Sequence, residues 1–396
     1  MAMNNINLRP SRRAVVAGIG TLGVMPAGQL LAATPPIEAK IVLEDQRLWV
    51  GATIGSSEPL LFIVDTGAGG NFIRPDIAKR LKLTDVGGSI VGGVGGRSAN
   101  TKRMMGHDVL IGGAVRQRDM LFDTYDLSVG FPGDTAGLFA AGLFTAYDTD
   151  LDFVGGKWRL WPKGRDGVPK GVRLADSSIT HGGRSSDSER IYVTAQIDGQ
   201  PYRLMVDTGA PSSILLFPRA AARSGLFEGR AYAPHIIGGF GGYSRKLGRR
   251  VRATKLELGP LALKRPFVTV MDPKDALSLG FDGLVGLPII SLFDIATEAS
   301  AGKLWLARNS LKPTADPYAR GGIWFARKGT ETIVSEIGKG SPAEAAGVRL
   351  GDVLVAPKDF GQAIKQINGE AGREVVMSFR RDGVVIERKF VLADYL

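Results

Sequence analysis

The chain has 396 residues, 44% of them hydrophobic, with 54 glycines and no cysteine. That length supports two or three domains with separate cores, and the missing cysteines exclude disulfides, zinc–thiolate sites, a thiol nucleophile and a lipid-modified cysteine. The formal net charge is +11, but the basic residues are scattered; the one local cluster, Arg245, Lys246, Arg249, Arg250 and Arg252, reads as a solvated face or a preference for acidic surfaces rather than a nucleic-acid surface.

Residues 1–33 open with Arg9, Arg12 and Arg13 ahead of an apolar stretch that ends in small residues. This is the order of a secretory signal. Ser11-Arg12-Arg13 followed by Val15-Val16 is similar to a twin-arginine export signal, which predicts a periplasmic or secreted chain. Gly18, Gly20, Gly23 and Pro26 make a poor spanning helix, and no later stretch is long and apolar enough for a stable membrane span.

Strand-like sequence runs from Ile41 to Ile54, and Leu61-Phe62-Ile63-Val64 then leads into Asp65-Thr66-Gly67-Ala68. The pattern returns as Ile191 to Ile197, then Arg203-Leu204-Met205-Val206 into Asp207-Thr208-Gly209-Ala210. Gly92-Gly93-Val94-Gly95-Gly96 is answered by Gly238-Gly239-Phe240-Gly241-Gly242. Ala140-Ala141-Gly142-Leu143 is answered by Leu284-Val285-Gly286-Leu287, with Gly142 and Gly286 lying 77 and 79 residues after the aspartates. Trp158-Arg159-Leu160-Trp161 and Leu304-Trp305-Leu306-Ala307 close the two runs as strands. Matches kept in this order mark an internal duplication, with copies at residues 38–162 and 191–308. Residues 163–190, rich in Gly, Ser, Asp and Arg, read as an exposed connector, and residues 309–319, with Pro313 and Pro317, as a second linker.

An apolar strand that ends in Asp-Thr-Gly presents a carboxylate where the strand emerges. The glycine lets the chain turn with its amides aimed back at that carboxylate, and the threonine hydroxyl can fasten one loop to its neighbour. On these residues, both copies resemble the half-unit of retropepsin-like aspartic proteases, whose pepsin-like relatives carry two halves in one chain. The resemblance implies a mainly β fold in which two acid-protease barrel halves form one bilobal unit. It implies Asp65 and Asp207 as the catalytic pair, supported by Thr66, Gly67, Thr208 and Gly209, with Gly142 and Gly286 packed behind the loops. Gly93, Gly95, Gly239 and Gly241 would lie in the substrate-covering flaps. The substrate class is a protein or peptide, and neither a metal nor an organic cofactor is required. Gly69-Gly70 departs from the pattern and predicts a loose first loop. The rival reading is a non-catalytic peptide-binding or chaperone-like protein that keeps the cleft, and a third pairs each half with its twin from another chain.

Other chemistries fit poorly. His107, His181 and His235 lack metal-ligand spacing, and no Gly-x-Ser-x-Gly elbow occurs. Ser300-Ala301-Gly302-Lys303 fits Ser-x-x-Lys, but its counterpart Val154-Gly155-Gly156-Lys157 identifies a hairpin turn. The glycine runs lack the Lys-Ser/Thr ending of a phosphate loop.

Residues 320–396 differ in character. Gly340-Ser341-Pro342-Ala343-Glu344-Ala345-Ala346-Gly347-Val348, followed by Leu350-Gly351-Asp352-Val353-Leu354, resembles the signature of a PDZ domain, an α+β module. Ser341 is expected to cap a helix and Gly347 to end it, with a second helix from Phe360 to Ile367. The resemblance implies that the amides of Gly321, Gly322, Ile323 and Trp324 capture the carboxylate of a C-terminal peptide ligand.

Overall fold

The computed structural model describes residues 35–95, 98–128, 130–180, 190–240, 242–244 and 246–396. The export-signal expectation for residues 1–33 therefore lies outside the described residues, as do His181, Gly241 and Arg245. Among the described residues strands dominate, and the longest helix, Phe360–Ile367, has 8 residues. No helix among the described residues is long and apolar enough to cross a membrane.

Two barrel-like halves share one strand order. In the first, Arg47–Ile54, Leu60–Val64, Thr135–Phe139, Phe72–Ile73, Val115–Thr124 and Ala99–Ile111 are neighbours in sequence around the sheet. The last strand pairs back on the first through Thr53 and Leu110, which closes the barrel. In the second half, Arg190–Ile197, Gln200–Asp207, Gly283–Gly286, Ile214–Leu216, Phe267–Val270 and Gly248–Arg252 follow in the same order. The residues leading directly into the aspartates, Phe62–Val64 and Leu204–Val206, are buried, as expected for apolar runs covered on both faces. Two glycines permit the central crossing. A Cβ on Gly137 would lie 2.1 Å from the Phe72 carbonyl oxygen, and one on Gly283 would lie 1.9 Å from that of Leu215.

The halves are joined by a six-stranded sheet with a near-symmetric order. Asp148–Asp152 pairs antiparallel with Phe293–Glu298 at its centre, bringing Thr149 opposite Thr297. The Thr149 N–H donates to Thr297 Oγ1 at 3.0 Å. Ile37–Lys40 forms one edge against Lys157–Trp161, and Val172–Arg173 forms the other against Lys303–Arg308. This corrects the reading of residues 163–190 as a plain connector. Val172–Arg173 is the second half's counterpart of Ile37–Lys40, and Ser178–Thr180 pairs with Arg190–Ile197. Arg165 is tied to Asp150 at 2.9 Å, and Ser177 Oγ accepts the Leu304 N–H at 2.9 Å. Strands this short carry too little apolar sequence to stand out from a linker.

Residues 320–396 form a five-stranded antiparallel sheet, Ile323–Lys328, Glu331–Ile337, Val353–Ala356, Glu374–Arg381 and Val384–Val391. Two helices, Pro342–Ala345 and Phe360–Ile367, pack on it around a separate core that includes Phe325, Met377 and Phe379. Ser341 Oγ caps the first helix by accepting the Glu344 N–H at 3.2 Å, and Gly347 leaves it at φ 75°. This unit is seated on the second half. The Tyr232 N–H donates to the Lys339 carbonyl at 3.2 Å, and the Tyr395 hydroxyl donates to the Tyr232 carbonyl at 3.1 Å. Ala233, Phe267 and Leu396 complete an apolar seam with Tyr318 and Tyr395.

Candidate active site

Asp65 and Asp207 meet within one chain, at the cleft between the two halves. Each aspartate ends an apolar strand, and each turn glycine lies under the opposite carboxylate. A Cβ on Gly67 would sit 2.4 Å from the Asp207 carboxyl carbon, and one on Gly209 would sit 2.3 Å from that of Asp65. No other residue type leaves room for the two carboxyl groups to approach each other across the loops. The Gly67 N–H donates to Asp65 Oδ1 at 3.0 Å; the Gly209 and Ala210 N–H groups donate to Asp207 Oδ1 at 2.9 and 3.0 Å.

The threonines lock the loops reciprocally. Thr66 Oγ1 donates to the Val206 carbonyl and Thr208 Oγ1 to the Val64 carbonyl, each at 2.7 Å. Each hydroxyl also accepts the other threonine's N–H, at 3.1 and 3.0 Å. Both side chains are buried, so every bond of this lock is shielded from water.

Burial raises both carboxyl groups, and Asp207 is raised well above the carboxylate range because the Asp65 charge adds to the cost. Two carboxylates in contact cannot both ionise at little cost, so the pair retains one proton. Two residues that the sequence did not single out oppose this. Arg47 and Arg190 begin matching strands, and each reaches across to the other half's loop. Arg190 Nη1 donates to the Ala68 carbonyl at 2.6 Å, and Arg47 Nη1 to the Gly209 carbonyl at 3.5 Å. Both guanidinium charges interact favourably with both carboxylates. The signal was present in the repeat, since both arginines stand at the same distance from their aspartates to within one residue.

The glycine clusters form hairpin tips over a cleft of about 950 Å³. The first tip joins Thr84–Val91 to Ala99–Ile111, and the second joins Gly238–Gly239 to Gly242–Tyr243. Gly93, Gly95 and Gly239 lie at their meeting point, where the Gly95 N–H donates to the Phe240 carbonyl at 3.1 Å. The tips exchange apolar residues. Phe240 stacks on Phe72 of the first half at 4.4 Å, while Val94 packs against an apolar cluster of the second.

Four expectations need correction. Gly286 is packed behind the second loop, with a Cβ there 2.0 Å from the Ser212 carbonyl oxygen, but a Cβ on Gly142 would meet nothing within 4 Å. Val64 lies opposite Phe139, and Val206 opposite Val285. The counterpart of Gly286 is therefore Ala140, and Gly142 belongs to the following helix. The first loop is tied rather than loose. Asn71, just beyond Gly69-Gly70, accepts the Ala140 N–H at 3.0 Å and donates to the Leu121 carbonyl at 3.2 Å.

Gly321 and Gly322 also do not offer free amides. Their N–H groups donate to the carbonyls of Ile367 and Ala319, both at 2.9 Å. Ile323 and Trp324 instead line a groove of about 890 Å³ beside helix Phe360–Ile367. Finally, Lys246 of the basic cluster is exposed, but Arg249, Arg250 and Arg252 do not form a solvated face. Arg250 is 2% exposed, and the Arg249 and Arg252 guanidinium groups lie over aromatic rings, Arg249 at 4.1 Å from Tyr232 and Arg252 at 3.5 Å from Phe267. Arginine stems and planar heads pack on apolar surface as readily as they face water. His235 is half-buried and donates no second charge, its pKa pushed down to about 3 by burial and the Arg250 charge. No metal-binding cluster occurs among the described residues.

A family model described as aspartyl protease matches residues 50–132 and 193–289, one segment around each carboxylate. The solved aspartic proteinase from Irpex lacteus is similar over 72% of this chain and 100% of its own, at 12% identity and a TM-score of 0.42. The two matched segments support an aspartic-protease fold carried twice along the chain.

Proposed function

We propose that the protein is an exported aspartic endopeptidase that hydrolyses peptide bonds with the Asp65–Asp207 pair and an activated water. The observation that carries this reading is the approach of two buried carboxyl groups, each cradled by the other half's glycine, in a cleft between the halves. The ionised member of the pair takes a proton from the attacking water, and the protonated member gives its proton to the peptide carbonyl oxygen. The resulting tetrahedral diol collapses as a proton passes to the departing amine, and the pair returns to its starting state. No metal or organic cofactor enters any step. Flap tips that interlock through Phe240 and Val94 must part to admit a chain and then shield it from bulk water.

Residues 320–396 are read as a PDZ-like unit. Strand Ile323–Lys328 is an edge strand whose open side faces helix Phe360–Ile367, the arrangement in which an extended peptide adds as a further strand. With the Gly321 and Gly322 amides already spent, the groove is suited to an internal extended segment rather than a terminal carboxylate.

The test is incubation of the purified mature chain with unfolded protein substrates, with cleavage products read by mass spectrometry. Asp65→Asn and Asp207→Asn should each abolish cleavage while leaving the circular dichroism spectrum unchanged. A wild-type chain that binds such substrates without cutting them between pH 3 and 8 would favour the chaperone-like alternative.

A further inference from the structure

The two catalytic loops are anchored differently. In the first half, the residue six places after Asp65 is Asn71, whose own side chain ties the loop to Ala140 and Leu121. Beside it, Arg103 pairs with Asp123 at 3.1 Å, directly opposite in strand register. In the second half, the residue six places after Asp207 is Ser213, too short to make such a bridge. Arg250 faces Thr269 in register, so the carboxylate that answers an arginine in the first half has no equivalent on that strand.

Asp316 supplies it from the linker, 103 residues downstream. Its Oδ2 accepts the Ser213 N–H at 2.9 Å, and its Oδ1 accepts the Ser213 hydroxyl at 2.6 Å. Arg250 Nε stands 3.9 Å from the same carboxylate, and both side chains are all but inaccessible to water. Arg250 in turn donates to Ser212 Oγ at 3.1 Å, to Thr269 Oγ1 at 3.2 Å and to the Pro317 carbonyl. The chain between Asp207 and Ser213 is short. At its start, the Gly209 and Ala210 N–H groups hold Asp207; at its end, the Ser213 carbonyl accepts the Gly286 N–H at 3.0 Å.

We propose that Asp316 is a positioning residue for the second catalytic loop, completing an anchor that the second half does not contain. The geometry of Asp207 then depends on the segment leading to the C-terminal unit. This rests on the peptidase reading, but concerns a residue outside both family-matched segments.

The experiment compares full-length Asp316→Asn and the milder Ser213→Ala with wild type. A short peptide that fills only the cleft is the substrate. If Asp316 positions the loop, kcat falls by between about tenfold and a hundredfold in Asp316→Asn, while KM changes by no more than about twofold. Ser213→Ala falls in the same direction by less. Loosened Gly209 and Ala210 N–H bonds support the ionised pair less, so the acidic limb of the pH–rate profile moves to higher pH. Faster hydrogen exchange at those two amides is expected in both variants. Ser213→Ala keeps the buried ion pair, so it remains informative if Asp316→Asn does not fold. Unchanged kcat, acidic limb and exchange in folded Ser213→Ala would overturn the proposal. A wild type without peptidase activity would count against the peptidase reading, and the exchange measurement would still decide whether Asp316 holds the loop.

Discussion

Replacing Asp207 with asparagine separates catalysis from stability in a way the structure makes quantitative. Asparagine keeps an oxygen for the Gly209 and Ala210 N–H groups but cannot share a proton with Asp65. Loss of general acid–base chemistry predicts a fall of about 10²–10⁴-fold in kcat. Stability should move the other way. Burial and the Asp65 charge raise the Asp207 carboxyl well above its unfolded value, so over that pH interval the native chain holds a proton that the unfolded chain has released. Stability therefore falls as pH rises from the unfolded to the folded value, and the cost is complete above the latter. Each unit of that elevation corresponds to about 1.4 kcal/mol. Asp207→Asn should accordingly be more stable than wild type at neutral pH and lose that advantage as pH falls toward about 4. Urea melts of both proteins from pH 3 to 8, beside a peptide assay, read both effects. A variant retaining a tenth of wild-type activity, or a stability difference that is flat in pH, would refute the reasoning.

Removing the guanidinium groups should raise the pair further. Arg190→Gln and Arg47→Gln each withdraw a charge that favours the ionised carboxylates, so the acidic limb of kcat/KM should shift to higher pH, further in the double variant; a shift to lower pH contradicts this. Gly286, behind the second loop, and Gly142, in the helix after the first, give an opposed pair. Gly286→Ala forces a methyl onto the Ser212 carbonyl and should cost about 3 kcal/mol or more. Gly142→Ala meets open space in a helix and should be neutral or stabilising by up to about 1 kcal/mol in thermal or urea melts.

What the sequence disclosed was local and repeated. Asp-Thr-Gly after an apolar strand fixes the carboxylates, the threonine lock and the turn glycines, because all three are chain neighbours and occur twice. Ser341 and Gly347 were legible for the same reason, since caps act within one turn. The losses occurred where register or long range decides. Counting from the aspartates matched Gly142 with Gly286, whereas strand pairing matches Ala140 with it; a shift of two residues keeps the apolar alternation and so leaves no trace in composition. Gly137 and Gly283 were the better marker, because a Cβ at either place would lie within 2.2 Å of a backbone oxygen. Arg250 looked solvated because its partners, Asp316 and the Pro317 carbonyl, lie beyond the repeat. A pair joined across that distance has no period to betray it.

The same long-range contacts decide what the C-terminal unit contributes. A domain that only recruits substrate acts through effective concentration at the cleft, and its removal would weaken cleavage of long chains while sparing short peptides. This unit is not loosely tethered. A Cβ on Gly338 would lie 2.2 Å from the Tyr232 carbonyl oxygen, so the two surfaces meet backbone to backbone. The Tyr232 hydroxyl donates to Glu336 at 2.5 Å, and Tyr318 stands between Phe267 and Tyr395, its ring 5.6 and 5.5 Å from theirs. Deleting residues 320–396 would uncover Ala233 and Phe267, and exposing a large buried apolar side chain costs about 1.5–3 kcal/mol. It would also strip Tyr318 of its partner two residues from Asp316, slackening the anchor of the second loop without removing its carboxylate. The expected result is a lower melting temperature together with slower cleavage of short and long substrates alike. Any recruitment through the groove beside Ile323–Lys328 then appears only as an extra loss on long chains. A truncated protein that melts with the intact one and cuts short peptides at the full rate would show that the seam braces nothing.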